Sequence, residues 1–209
     1  PKGTELEIHP SLFGEIQGHN AALALSAMEF AFPDFTPEAG QQGLSTASIP
    51  GRFQLVESRG RKWILDGAHN SDSARILTRL LDESGIQPKA LLTGMVIGHT
   101  PEHFFELICP RVPHVQVAPV EFRRGVVPEE LAGHIRKLHP SVDVSASLDE
   151  ALDEVVKGTQ PGDDILVTGS FYLVGDVMGA VSKQFGYYPK SAHVANYIGK
   201  IVATYIAQR

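Results

Sequence analysis

Two glycine-containing turns carry the residues best able to do chemistry. The first, Asp66-Gly67-Ala68-His69-Asn70, follows the apolar run Trp63-Ile64-Leu65 and precedes a helix-forming segment. An Asp at the carboxyl end of a strand can accept from ribose hydroxyls, and Gly67 permits a sharp turn. His69 and Asn70 then lie over a helix N-terminus, whose unpaired N–H groups favour anions. The same residues also read as a plain turn with Asn70 or Ser71 as a helix cap. The second turn, within Val167-Thr168-Gly169-Ser170-Phe171-Tyr172-Leu173, again sets a Gly and a small hydroxyl between a strand and a helix. Backbone N–H groups and Ser170 could hold a carboxylate or phosphate there, or Ser170 could simply cap the helix.

Two further groups come into question. Arg52, in Pro50-Gly51-Arg52-Phe53-Gln54, could extend a guanidinium to a phosphate held between domains, or could be a solvated surface residue. His99-Thr100-Pro101-Glu102-His103 matches the H-x-x-E-H pattern of inverted zinc peptidases. Pro101 opposes that reading, because proline sits best at the first helical position, making Thr100 the cap and leaving His99 off the face of His103. Neither G-x-G-x-x-G nor G-x-x-x-x-G-K-[ST] occurs, so any nucleotide site in this chain is partial.

The elements that must position these residues follow from hydrophobic periodicity. Ile16, Ala21, Ala22, Leu25, Met28 and Phe32 recur at helical spacing over 14–32, and Pro33 ends that helix. The stretch 33–50, rich in Pro, Gly and Ser/Thr, reads as a linker, with a domain boundary near Ser48. Runs at 53–57 and 62–66 make a hairpin across Ser58-Arg59-Gly60-Arg61. Helices over 71–84, 101–108, 128–138, 147–157 and 172–184 then alternate with strands at 90–94, 114–117, 142–145 and 164–168. This alternation predicts an α/β, Rossmann-like domain over 49–209: a mostly parallel sheet with one antiparallel hairpin strand and helices on both faces. In such sheets ligands sit at the carboxyl ends of the strands. The tail 191–209 repeats Val194, Tyr197, Ile198, Ile201, Val202, Tyr205 and Ile206 at helical spacing, an amphipathic helix that could pack on its own domain, mediate a dimer or touch a membrane.

Composition excludes other classes. The 209 residues are 43% hydrophobic and 20% charged, with a formal charge of −6, so a packed core is expected and nucleic acid is not an expected partner. No window approaches a membrane span, and the single Cys109 in an apolar context reads as a structural thiol in a reduced compartment, hence the cytoplasm. The first residue is Pro1 rather than Met, which suggests a piece of a longer chain.

At Pro50-Gly51-Arg52-Phe53-Gln54, Ile64-Leu65-Asp66-Gly67-Ala68-His69-Asn70 and Val167-Thr168-Gly169-Ser170-Phe171-Tyr172-Leu173-Val174-Gly175-Asp176-Val177, the sequence resembles folylpolyglutamate synthase/dihydrofolate synthase, a branch of the Mur ligase superfamily. Leu12, Gly14, Gln17, Asn20, Ala21 and Ala22 resemble the helix that closes the family's central domain. The resemblance, over 12 to about 185, implies a C-terminal Rossmann-like domain with a remnant of the central ATPase domain at 1–48. The absent P-loop would lie upstream. It further implies an ATP- and Mg2+-dependent ligase that phosphorylates a carboxylate of dihydropteroate or a folate. The amine of L-glutamate then attacks the acyl phosphate; an isolated C-terminal fragment would be inactive. By the same resemblance Gln17 and Asn20 lie near the adenine, Arg52 reaches the ATP phosphates and Asp66 holds the ribose, while His69, Asn70 and Ser170 line the glutamate and nucleotide cleft. A monomer is implied, with a dimer through the tail helix as the alternative.

Three features depart from the family pattern: Ile16 stands where His precedes Gln, His99 stands where a Lys is usual, and the helical tail has no counterpart. A non-catalytic nucleotide- or glutamate-binding module and a Mur-type ligase acting on a cell-wall precursor remain as alternatives.

Overall fold

The computed structural model describes residues 10–181, which divide into two compact units on either side of the Arg52–Phe53 bond. The tail 191–209 and the expected end of the 172–184 helix lie outside the described residues.

The first unit holds two helices, α1 (Glu15–Ala31) and α2 (Pro37–Thr46). The second of these corrects the expected linker. Thr36 accepts from Ala39 N–H and Pro37 occupies the first turn, the combination that starts a helix despite the surrounding Pro and Gly. Gly40 is required by packing, since a Cβ there would fall 2.6 Å from Leu25 Cδ2 and 2.8 Å from the Phe35 ring.

In the second unit β1 (Gln54–Ser58) and β2 (Arg61–Leu65) pair antiparallel, with Ser58 opposite Arg61. The two residues between them, Arg59 and Gly60, both have positive φ, at 51° and 71°. Such a turn matches the twist of the flanking strands. There follow α3 (Ser71–Ser84), β3 (Ala90–Thr93), α4 (Pro101–Ile108) with a 3-10 turn at Cys109–Arg111, β4 (Val115–Val117), α5 (Pro128–Ile135), β5 (Val142–Val144), α6 (Leu148–Lys157), β6 (Asp164–Thr168) and α7 (Phe171–Val181). The sheet order is β1-β2-β6-β3-β4-β5, parallel throughout except for the hairpin pair. This is the expected mixed α/β architecture. The 128–138 helix stops at Ile135, and its last residues form turns on Ala132, His134 and Ile135 carbonyls.

Period-2 alternation splits the core across the sheet. Ile64, Leu91, Val115 and Leu166 face Ala74, Leu77, Leu81, Phe104, Phe105, Leu131 and Ile135 on one side. Trp63, Leu65, Leu92, Ile165 and Val167 face Leu152, Val155, Leu173, Val177 and Met178 on the other. Burial on both faces explains the nearly continuous apolar runs of the central strands.

Candidate active site

The carboxyl ends of β2, β6 and β3 are tied together by short polar links. Asp66 N–H donates to Val167 O at 3.0 Å, and Gly169 N–H donates to Ala68 O at 2.8 Å. Thr168 Oγ1 donates to Ala68 O at 3.1 Å and Thr93 Oγ1 to Thr168 O at 2.8 Å, both fully buried. Gly169 has φ 110°, and a Cβ on it would lie 2.6 Å from Thr93 Oγ1 and 2.9 Å from Gly94 O. Only glycine fits between these strand ends. The glycine of the second turn thus serves close approach of backbone, and the edge it closes is rigid.

On this edge the structure gathers four of the expected site residues. Asp66 is 7% exposed; its Oδ2 accepts from Phe53 N–H at 2.8 Å and its Oδ1 from Ala68 N–H at 2.9 Å. Phe53 is a non-glycine residue at φ 44°, so the carboxylate holds a strained backbone at the start of the hairpin. A carboxylate has about four lone-pair directions, so this anchoring is compatible with a further donor. Asn70 is the N-cap of α3: its Oδ1 accepts from Ser73 N–H at 2.9 Å, and Ser73 Oγ accepts in return from Asn70 N–H. Ser170, 2% exposed, accepts from Tyr172 N–H at 3.1 Å at the start of α7. The capping readings therefore hold for Asn70 and Ser170 in the protein alone.

His69 is different. Its Nδ1 donates to Gly67 O at 2.7 Å, a carbonyl that can only accept, which fixes the proton on Nδ1 and leaves Nε2 as the acceptor nitrogen. The neighbouring ring is His99, with centroids 4.6 Å apart and planes tilted by 54°, and Phe171 lies 6.2 Å away on the other side. Burial, then the adjacent His69, then Arg124 hold the His99 imidazole below its ordinary value. His99 lies outside α4, whose first turn is Pro101, and Glu102 is turned to His134. The H-x-x-E-H residues therefore share no helical face. Among the described residues no group of three His, Cys, Asp or Glu side chains could hold a metal ion.

Sequence reasoning missed Arg124. It follows β4, and the rule that ligands gather beyond strand carboxyl ends could have singled it out. Phe122 in the same loop stacks on Tyr172 at 4.0 Å and 12°. Gln17, Asn20 and Arg52 belong to the first unit. Asn20 Nδ2 donates to Gln17 Oε1 at 3.1 Å across one turn of α1, so that pair is brought together, whereas Arg52 stands at the unit's last position with an exposed side chain.

The family model described as Mur ligase, glutamate ligase domain, matches residues 51–171. That range includes Arg52, Asp66, His69, Asn70 and Ser170. The chain is 32% identical over 174 residues to a Haloferax volcanii protein described as a probable bifunctional folylpolyglutamate synthase/dihydropteroate synthase, covering 82% of this chain and 20% of that one. It is 31% identical over 163 residues to the Escherichia coli dihydrofolate synthase/folylpolyglutamate synthase, covering 78% and 37%. A solved structure of the Yersinia pestis bifunctional folylpolyglutamate synthase/dihydrofolate synthase, complexed with AMPPNP and Mn ion, superposes with a TM-score of 0.68 at 32% identity, covering 85% of this chain and 41% of that one. The chain therefore spans less than half the length of each of these proteins.

Proposed function

The chain belongs to the Mur ligase family, in its glutamate ligase domain, and on that premise we propose that it is the C-terminal domain of an ATP-dependent amide ligase that adds L-glutamate to dihydropteroate or to folates. The observation that carries this reading is the rigid carboxyl edge of the sheet, where Asp66, His69 and Ser170 converge beyond β2 and β6 in a protein whose relatives carry folate-ligase names.

A carboxylate is a poor electrophile, and an acyl phosphate supplies the leaving group that glutamate's amine can displace. Excluding water from the cleft protects that intermediate from hydrolysis. In this proposal Gln17 and Asn20 lie near the adenine and Arg52 steadies the phosphates. Asp66 accepts from the ribose while holding the turn that presents His69, and His69, Asn70 and Ser170 line the glutamate side. The nucleotide of the Yersinia pestis structure supports an ATP site. Mg2+ would accompany ATP; the described residues do not by themselves make a metal cage, and no step is derived through it. A cytoplasmic monomer completes the proposal, in keeping with the absence, among the described residues, of a helix able to cross a membrane.

The test is ATP-dependent incorporation of L-glutamate by the intact protein, with dihydropteroate, a folate monoglutamate and a cell-wall precursor as alternative acceptors. ADP formed in step with a glutamylated pterin is expected, with Arg52→Ala lowering kcat. ADP formation with the cell-wall precursor alone, or with none of the three, would overturn the reading.

A further inference from the structure

The loops after β3 and β4 are joined into one flap. Ile97 N–H donates to Arg124 O at 2.8 Å, Val126 N–H donates to Met95 O at 2.9 Å, and Val96 bridges to Gly125. Arg124 Nη2 also donates to Ile97 O at 2.8 Å, which draws the guanidinium back across the loop that carries His99. Gly98, at φ 110°, keeps that approach open, since a Cβ there would lie 3.1 Å from Arg124 Nη2. The flap thereby holds a guanidinium and an imidazole against His69, itself fixed by Gly67 O.

None of these three groups forms an ion pair with a described carboxylate. The charged groups felt by His99 are His69, from the turn after β2, and Arg124, from the loop after β4; α7 presents the uncharged Phe171 to the His69 ring. On its own side Glu102 is engaged by His134 and His103 is exposed, while Glu121 and Arg123 are exposed on the Arg124 loop. Basic groups held together without a counter-charge repel one another, and a bound oxyanion relieves that repulsion.

We propose that His99, His69 and Arg124 form an oxyanion-receiving subsite that takes a carboxylate of the amino-acid substrate, with His99 taking up a proton from solvent as the anion arrives. The assignment to an amino acid rests on the ligase reading above. The sign follows from linkage. In the empty site His99 is held neutral at pH 7; an anion beside it favours the imidazolium, so binding is coupled to protonation and weakens as pH rises. Arg124 supplies a charge that does not titrate, and its guanidinium still has donors beyond the one used on Ile97 O.

The experiment pairs steady-state kinetics with NMR of the His99 Cε1–H signal in the intact protein, assigned with His99→Gln. Relative to His99→Lys, the wild-type KM for L-glutamate is expected to rise about five- to tenfold from pH 6.5 to 8.5, as coupling to one proton allows, with the KM for ATP flat in both. L-glutamate is also expected to raise the His99 titration midpoint. Unchanged pH dependence in His99→Lys, or a midpoint moved by neither L-glutamate nor inorganic phosphate, overturns the subsite. A midpoint moved by phosphate alone overturns its assignment to a carboxylate. Absence of any ATP-dependent ligation would sink the ligase reading instead, and the response of the His99 signal to L-glutamate would still decide the subsite.

Discussion

Replacing Asp66 tests whether its carboxylate is scaffold, ligand contact or both. Its two oxygens accept from Phe53 N–H at 2.8 Å and Ala68 N–H at 2.9 Å, and both donors belong to buried residues. A hydrogen bond to a charged acceptor contributes roughly 1.5–3 kcal/mol, and a buried N–H stripped of its partner costs a similar amount. Asp66→Ala strands both donors and should lower the stability of the second unit by about 3–5 kcal/mol. Asp66→Asn keeps at most one acceptor in place and turns an amide N–H toward the other donor, for a loss of about 2–3 kcal/mol. The chain's single tryptophan, Trp63, is fully buried in β2 next to this turn, so urea unfolding followed by its fluorescence reads the relevant unit. Asp66→Ala unfolding within about 1 kcal/mol of the wild type would refute the scaffold argument. In the intact protein both variants should also raise the KM for ATP. An increase with no loss of stability would make the carboxylate a ligand contact alone.

Two further outcomes follow from the same edge and the core behind it. Gly169→Ala combines an unfavourable φ of 110° with a Cβ placed 2.6 Å from the fully buried Thr93 Oγ1, and should cost about 2–4 kcal/mol in the same urea assay; a wild-type midpoint would show that the strand ends are less tightly tied than their hydrogen bonds imply. Burial pushes the Cys109 thiol up to about 12, so Ellman's reagent should leave it unlabelled in native protein near neutral pH and label it fully in denaturant. Stoichiometric labelling before unfolding would contradict its placement in the core.

Much of this fold is written in local pattern. The hairpin follows from Arg59-Gly60 between alternating runs, and α3 from Asn70 at its start and Gly85, at φ 68°, at its end. The helix α2 was hidden because Pro37, Gly40 and Gly43 resemble linker chemistry, although Thr36-Pro37 is equally a cap followed by a first-turn proline. Gly40 there answers to Leu25 and Phe35, contacts that no local pattern shows. In the candidate site, Asp66, His69 and Ser170 were legible because each directly follows a strand. Arg124 was not, because its contact to Ile97 spans 27 residues and depends on two loops pairing in space.

The polar atoms at the carboxyl edge divide by what they already do in the protein alone. Asp66, Asn70 and Ser170 each satisfy backbone N–H groups that would otherwise be stranded at the Phe53 turn or at the first turns of α3 and α7. Their substitution must disturb the edge itself, so lost activity at these positions is not by itself evidence of ligand contact. His69 spends one ring nitrogen on Gly67 O, and His99 and Arg124 are set beside it with no carboxylate partner among the described residues. Holding three such groups together adds little to stability, because the electrostatic interaction among them is repulsive. Substitutions at His99 and Arg124 should therefore separate the two kinds of effect, changing anion binding and its pH dependence while leaving the urea midpoint near that of the wild type.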